Sequence, residues 1–247
     1  MTVPLTQHQD EIQRNREAWR SKPLLREVYR QIHRQIIDLI DFQMPGRIVE
    51  IGAGIGNLKA HLPQTLSTDL FSNPDIDVVC DGYALPFGES TLSHLILFDV
   101  FHHLCAPNAF LVEARRALQP SGRVIICDPF ISWVGRLAYG AFHHEPIGWN
   151  KPVDMADSPP RAQDYYAAQG NATRLFFNRE HPGWPPGWSI HYAKAFASFS
   201  YLLSGGFSKR ALYPAACLPL LQRADRVLSR WPRVFGARCL VVLQPEG

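Results

Sequence analysis

The chain has 247 residues, of which 19% are charged, a formal net charge of +3 and five cysteines. That length can bury a sizeable core as one α/β domain with insertions, and the mild, scattered positive charge argues against a nucleic-acid partner. No stretch approaches the roughly 18 apolar residues of a membrane span, and Cys80, Cys105, Cys127, Cys217 and Cys239 lack C-x-x-C spacing, which fits buried thiols in a reducing cytoplasm.

Met1 to Lys22 is polar and carries both signs, unlike a signal peptide or transit sequence. Residues 8–42 read as one or two helices, with Leu24, Leu25, Val28, Ile32, Ile36, Leu39 and Ile40 at helical spacing. Ile48 to Leu58, I-V-E-I-G-A-G-I-G-N-L, then reads as a β-branched strand ending on Glu50, a turn through Gly52, Gly54 and Gly56, and a helix start. Glycine there supplies the φ freedom and missing Cβ that let backbone approach a ligand closely. The spacing is not the dinucleotide fingerprint, which needs glycine where Asn57 stands.

Leu66-Ser67-Thr68-Asp69 reads as a short strand ending on an acid, a position from which a carboxylate can accept both hydroxyls of a ribose. Ile76 to Cys80 is another short strand, closed by the turn Asp81-Gly82-Tyr83-Ala84-Leu85-Pro86-Phe87. Leu92 to Val100 is a nearly continuous apolar run, as expected of a strand covered on both faces. Asn108 to Leu118 has helical spacing, Gln119 to Arg123 breaks it, and Val124 to Cys127 is a buried strand ending on Asp128. Taken singly, the glycines fit close helix–strand packing, Asp69 a helix cap and Asp81-Gly82 an ordinary turn. Their joint order is what carries information.

Asp128 to Tyr201 is too long and irregular for a simple crossover, and holds Trp133, Trp149, Trp184 and Trp188 among many prolines. A long aromatic insert of this kind reads as a substrate cap. Beyond it, His191 to Ser204 is expected as a helix stopped by Gly205-Gly206, Phe207 to Leu212 as a strand, Ala215 to Trp231 as an amphipathic helix and Arg238 to Gln244 as the final strand.

The run from Glu50 to Asp128 resembles the class I S-adenosylmethionine (SAM)-dependent methyltransferases of small-molecule type. Five landmarks match in order: V-E-I-G-A-G-I-G, Asp69, D-G-Y-A-L-P-F, D-V-F-H-H-L and L-Q-P-S-G-R-V-I-I. The resemblance implies a Rossmann-like, doubly wound seven-stranded sheet with an antiparallel last strand and a cap insertion after strand 5. Residues 1–45 would be helices that pack on or lid the core, and 46–247 the SAM-binding domain, with 129–200 as the cap. The glycine turn and the helix start after it suit the carboxylate of SAM, and Glu50 its amino group. By resemblance Asp69 takes the ribose hydroxyls, Asp81 the adenine amine, Leu70, Gly82 and Tyr83 line the adenine slot, and Asp99 meets the methionine part.

Methyl transfer leaves S-adenosylhomocysteine, and a hydroxyl acceptor needs a base, for which His102, His103 and His143 are candidates. His144, Trp149, Trp184 and Trp188 are candidate acceptor contacts. No metal-ligand pattern is recognised, since the run His143-His144-Glu145 lacks H-E-x-x-H spacing. The expected acceptor is a small molecule, methylated on oxygen or, as alternatives, on nitrogen or carbon, and Leu202 to Phe207 faintly resembles enzymes of envelope-saccharide or secondary-metabolite pathways. Two other readings are a nucleic-acid methyltransferase, against which Phe98-Asp99-Val100-Phe101 lacks the N/D-P-P-Y/F element, and a SAM-binding protein without transfer activity. A cytoplasmic location is expected, and homodimerisation stays open.

Overall fold

In the computed structural model, which describes residues 5–142, 146–158 and 166–246, two helices come first, α1 (Leu5–Ser21) and α2 (Pro23–Ile37). Pro23 divides them: it occupies the first position of α2, where its missing N–H leaves no helical bond unmade. Then come β1 (Arg47–Ile51), β2 (Leu66–Asp69), β3 (Val78–Val79), β4 (Leu92–Phe98), α3 (Pro107–Ala117), β5 (Leu118–Pro129) and α4 (Trp133–Phe142). The chain closes through β6 (Trp188–Phe196), α5 (Phe199–Leu203), α6 (Leu218–Leu228), α7 (Pro232–Phe235) and β7 (Arg238–Pro245).

One seven-stranded sheet has the order β3-β2-β1-β4-β5-β7-β6. The first five strands run parallel, and β7 is antiparallel to both β5 and β6. Alternate residues of the central strands feed two cores. Val49, Ile51, Leu95, Leu97, Val124, Ile126 and Val241 pack with α3 residues Phe110, Leu111 and Ala114. Ile48, Ile96, Phe98, Ile125, Cys127 and Val242 pack with α2 residues Leu25, Val28, Tyr29, Ile32 and Ile36. Burial on both faces explains the unbroken apolar run of β4. The doubly wound, Rossmann-like sheet and its antiparallel last strand are as expected.

Four local expectations are corrected. After the glycine turn there is only a 3-10 turn, Asn57–Ala60, because Pro63 follows and cannot continue a helical ladder. Residues 188–196, expected partly as cap and partly as helix, form strand β6, so the insertion after β5 ends before Trp188. β6 is an edge strand paired only with β7, so its outer residues can stay polar, and that masked its pattern. Residues 207–212 hold turns rather than a strand, and the expected helix at 215–231 splits into a 3-10 turn (Ala215–Cys217) and α6.

The described part of the insertion docks on the loop after β4. Asp154 N–H donates to the Cys105 carbonyl at 2.8 Å, and Ala168 N–H to the His102 carbonyl at 3.0 Å. Its hub is the buried Arg174, which forks onto Glu180 at 2.6 and 2.7 Å and donates to the Lys151 carbonyl at 2.9 Å.

Candidate cofactor and catalytic site

The parallel strands β1, β2, β4 and β5 all end on the same side of the sheet, and each end carries an acid: Glu50, Asp69, Asp99 and Asp128. In open α/β sheets ligands bind outside these carboxyl ends. Gly52, Gly54 and Gly56 form the turn after β1 with φ of 66°, 56° and 62°. A Cβ on Gly52 would stand 2.5 Å from a Val100 methyl and one on Gly56 2.6 Å from the Asp75 carbonyl, whereas one on Gly54 would meet no described residue within 4 Å. Gly54 is thus the point of the turn that faces open space.

Asp69 pins this turn: Oδ2 accepts from Gly54 N–H at 2.9 Å, and Oδ1 from Phe71 N–H at 3.3 Å. Leu70, beside it, is exposed. Asp81 accepts from Tyr83 N–H at 2.9 Å, and the Tyr83 hydroxyl takes the Ala106 N–H at 3.3 Å. A Cβ on Gly82 would meet only ordinary van der Waals neighbours, Phe110 and Ile51, among the described residues.

Glu50 is buried, and its Oε2 has no hydrogen-bond partner among the described residues. Burial, with the charge of Asp69 adding to it, pushes its carboxyl up from the ordinary 4.5 to about 8. The folded protein therefore keeps a proton between those values that the unfolded chain has lost, and stability falls as pH rises through that window. Glu50→Gln is expected to melt with the parent at pH 4 and several degrees above it at pH 8.5, by calorimetry.

Asp99, at φ 57°, is held on both oxygens by Arg238 at 2.7 and 2.8 Å. Arg238 opens β7, is 1% exposed, and lies under the Tyr201 ring at 4.2 Å from its centroid. Sequence reading missed it, although an arginine heading R-C-L-V-V-L is the only charge in an apolar strand.

His102 Nδ1 lies 2.9 Å from Asp128 Oδ1, both side chains being buried. His103 stacks on His102 with ring centroids 4.1 Å apart and points Nδ1 at the Tyr166 carbonyl, 3.0 Å away. A carbonyl and a carboxylate accept, so Nδ1 carries a proton in both rings, and in the neutral form of each the lone pair is on Nε2. Burial pushes the Asp128 carboxyl up, and the facing His102 pulls it back down. Asp128 was read only as a strand end; its place as the last acid in the row was the signal.

His143, His144 and Glu145 lie outside the described residues. The three candidate tryptophans lie at different depths. Trp188 is buried in the core, and Trp184 packs against Phe176 and Phe101 at centroid distances of 5.1 and 6.4 Å. Trp149 is half-buried under the Arg136 guanidinium at 5.2 Å. A cavity of about 610 Å³ is lined by Cys105, Lys151, Pro152, Asp154 and Tyr166, and the carbonyl of Tyr166 is the one that faces His103 Nδ1. A second cavity, about 430 Å³ between Asp41, Arg123 and Tyr192, lies toward the start of β5, away from the row of acids. Among the described residues no group of three or more His, Cys, Asp or Glu could hold a metal ion.

Residues 49–126 match the family model described as a methyltransferase domain. A SAM-dependent methyltransferase from Thermotoga maritima, described as a possible histamine N-methyltransferase, superposes with a TM-score of 0.54 at 14% identity, over 94% of this chain and 95% of its own. Geranyl diphosphate methyltransferase in complex with SAM gives 0.54 at 13% identity, over 90% and 88%. The [4+2]-cyclase SpnF gives 0.51 at 13% identity, over 88% and 81%. At these identities the likeness is one of fold. A search of the curated proteins returned no match. The chain thus carries a methyltransferase-domain match over residues 49–126 and shares its fold with SAM-dependent methyltransferases.

Proposed function

We propose that the protein moves a methyl group from SAM to a small-molecule acceptor, at a hydroxyl oxygen of a saccharide or secondary metabolite. The observation that carries the choice of oxygen is the buried His102–Asp128 pair, a base with its orienting carboxylate between the turn after β4 and the end of β5.

The chain's residues suit the cofactor. The orphaned Oε2 of Glu50 is matched to a cationic amino group, and the open side of Gly54 admits a ligand against the backbone. Asp69, tied to the turn, keeps acceptor capacity for the ribose hydroxyls, and Asp81 serves the adenine amine beside Leu70, Gly82 and Tyr83. Asp99, anchored by Arg238, borders the methionine end.

The bound sulfonium supplies an already activated methyl group, so the protein aligns the acceptor, excludes water and removes a proton. His102 Nε2 takes that proton while Asp128 holds the ring and stabilises its charged form. The insertion between β5 and β6 serves as the acceptor's cap. α1 lids the cofactor side, where Arg16 pairs with Asp75 at 2.5 Å in the loop after β2. The site of action is the cytoplasm.

Asp69→Ala is expected to weaken SAM binding by roughly ten- to a hundredfold, since a charge-assisted hydrogen bond contributes about 1.5–3 kcal/mol; titration calorimetry reads this directly. The reading as a whole is tested by an acceptor screen with methyl-labelled SAM, scoring the bond formed by NMR. Methyl ethers support it, and products methylated only on nitrogen or carbon would overturn the choice of oxygen.

A further inference from the structure

We infer that the α6–α7 face is a peripheral docking surface for an anionic lipid bilayer. Six of the 25 Lys and Arg but only one of the 22 Asp and Glu fall within residues 207–237, so this eighth of the chain carries a net +5 and the remainder −2. The single acid, Asp225, is spent inside: it is buried and caps α5 by accepting from Phe199 N–H, Ser200 N–H and the Ser200 hydroxyl at 2.7, 3.1 and 2.6 Å. The mild net charge of the whole chain therefore conceals a segment with no exposed carboxylate.

Leu220, Arg223, Val227, Arg230, Trp231 and Val234 follow one another three or four residues apart, or adjacent, and all are exposed, Leu220 at 68% and Trp231 at 54%. Within α6 that spacing sets Leu220, Arg223 and Val227 on one stripe, and Arg230 and Trp231 in the following turn and Val234 in α7 extend the exposed surface. Apolar side chains alternating with guanidinium groups, with tryptophan at the end, match a bilayer's interfacial zone, where apolar groups enter the acyl boundary and arginines meet lipid phosphates. A nucleic acid would use the arginines but leave Leu220, Val227 and Val234 in water, and a second copy would set like charges against each other. α4, packed on α7, adds exposed Trp133 and Leu137. No helix among the described residues is long and apolar enough to cross a membrane, so the contact is with the surface. α7 leads straight into Arg238, paired with Pro129 at the end of the sheet that carries the acids, so the docked face adjoins the site.

The test is co-sedimentation of the full chain with vesicles of phosphatidylcholine alone or with roughly one third phosphatidylglycerol. Uptake is expected on the anionic vesicles only, falling as salt rises. It should drop at least about tenfold in R223E/R226E/R230E and again in L220S/W231S, with SAM affinity by calorimetry unchanged in both. Uptake by neither vesicle, equal uptake by both, or unchanged uptake in the variants would overturn the proposal. So would a solution dimer abolished by L220S/W231S, or tighter binding of a nucleic-acid duplex through the same arginines. Should the charge reversal fail to fold, R223Q/R226Q/R230Q and the salt titration of the parent decide the electrostatic part by the same criterion.

Discussion

His102→Ala is expected to slow methyl transfer by about two to four orders of magnitude, the range a positioned general base contributes. The effect should lie in kcat, with SAM affinity by calorimetry nearly unchanged, because the imidazole reaches toward Asp128 rather than the glycine turn. Asp128→Asn keeps the shape but can offer an N–H to Nδ1, which favours the tautomer with its proton on Nε2 and removes the lone pair from the acceptor side. Its rate should fall with that of His102→Ala, and the two losses should not add, since both remove one function. A purely structural pair would behave differently: both variants would melt earlier while the folded fraction kept its kcat.

Arg238→Ala is expected to destabilise the protein by about 3–5 kcal/mol, the cost of breaking a buried ion pair from one side. For a chain of this size that lowers the melting temperature by on the order of 10 °C in scanning calorimetry. The lower end of the range applies, because the Asp99 side chain is 30% exposed and water can partly solvate the stranded carboxylate. The same truncation empties the space beneath the Tyr201 ring and frees Asp99 from its left-handed backbone position, so SAM affinity should weaken as well. Arg238→Met with Asp99→Asn removes both charges and refills the volume, and should recover part of the lost stability without restoring cofactor binding. Full recovery of both would mean that the pair serves the site in no way beyond packing.

What the sequence disclosed follows from the range of the interactions involved. Strands β1, β2, β4 and β5 and the acids that end them are written in local apolar runs, so Glu50, Asp69 and Asp81 could be placed from a few neighbours each. The Asp99–Arg238 pair spans 139 residues of chain and the His102–Asp128 pair 26, and nothing local to either partner announces the other. β6 was misread because an edge strand is bonded on one side and keeps no apolar alternation on its outer residues, so its pairing with β7 decides its conformation. Trp188 shows the same blindness: its aromatic surroundings suggested a cap, but the strand that carries it turns the ring into the core. The glycine turn was legible as a turn, and its three glycines do take positive φ, while the helix expected after it was not formed, because Pro63 outweighs the pattern preceding it.

β7 stands furthest along the chain of all seven strands, yet it occupies an interior place in the sheet, between β5 and β6. Translation therefore delivers the remaining strands before the one that joins two of them. Until Arg238–Pro245 emerges from the ribosome, β5 presents an open edge, β6 has nothing to pair with, and Asp99 lacks its counter-ion. A nascent domain of this order holds its glycine turn early but completes the Asp99–Arg238 ion pair last, so chains interrupted before β7 would expose unpaired strand edges and depend on chaperones to stay in solution.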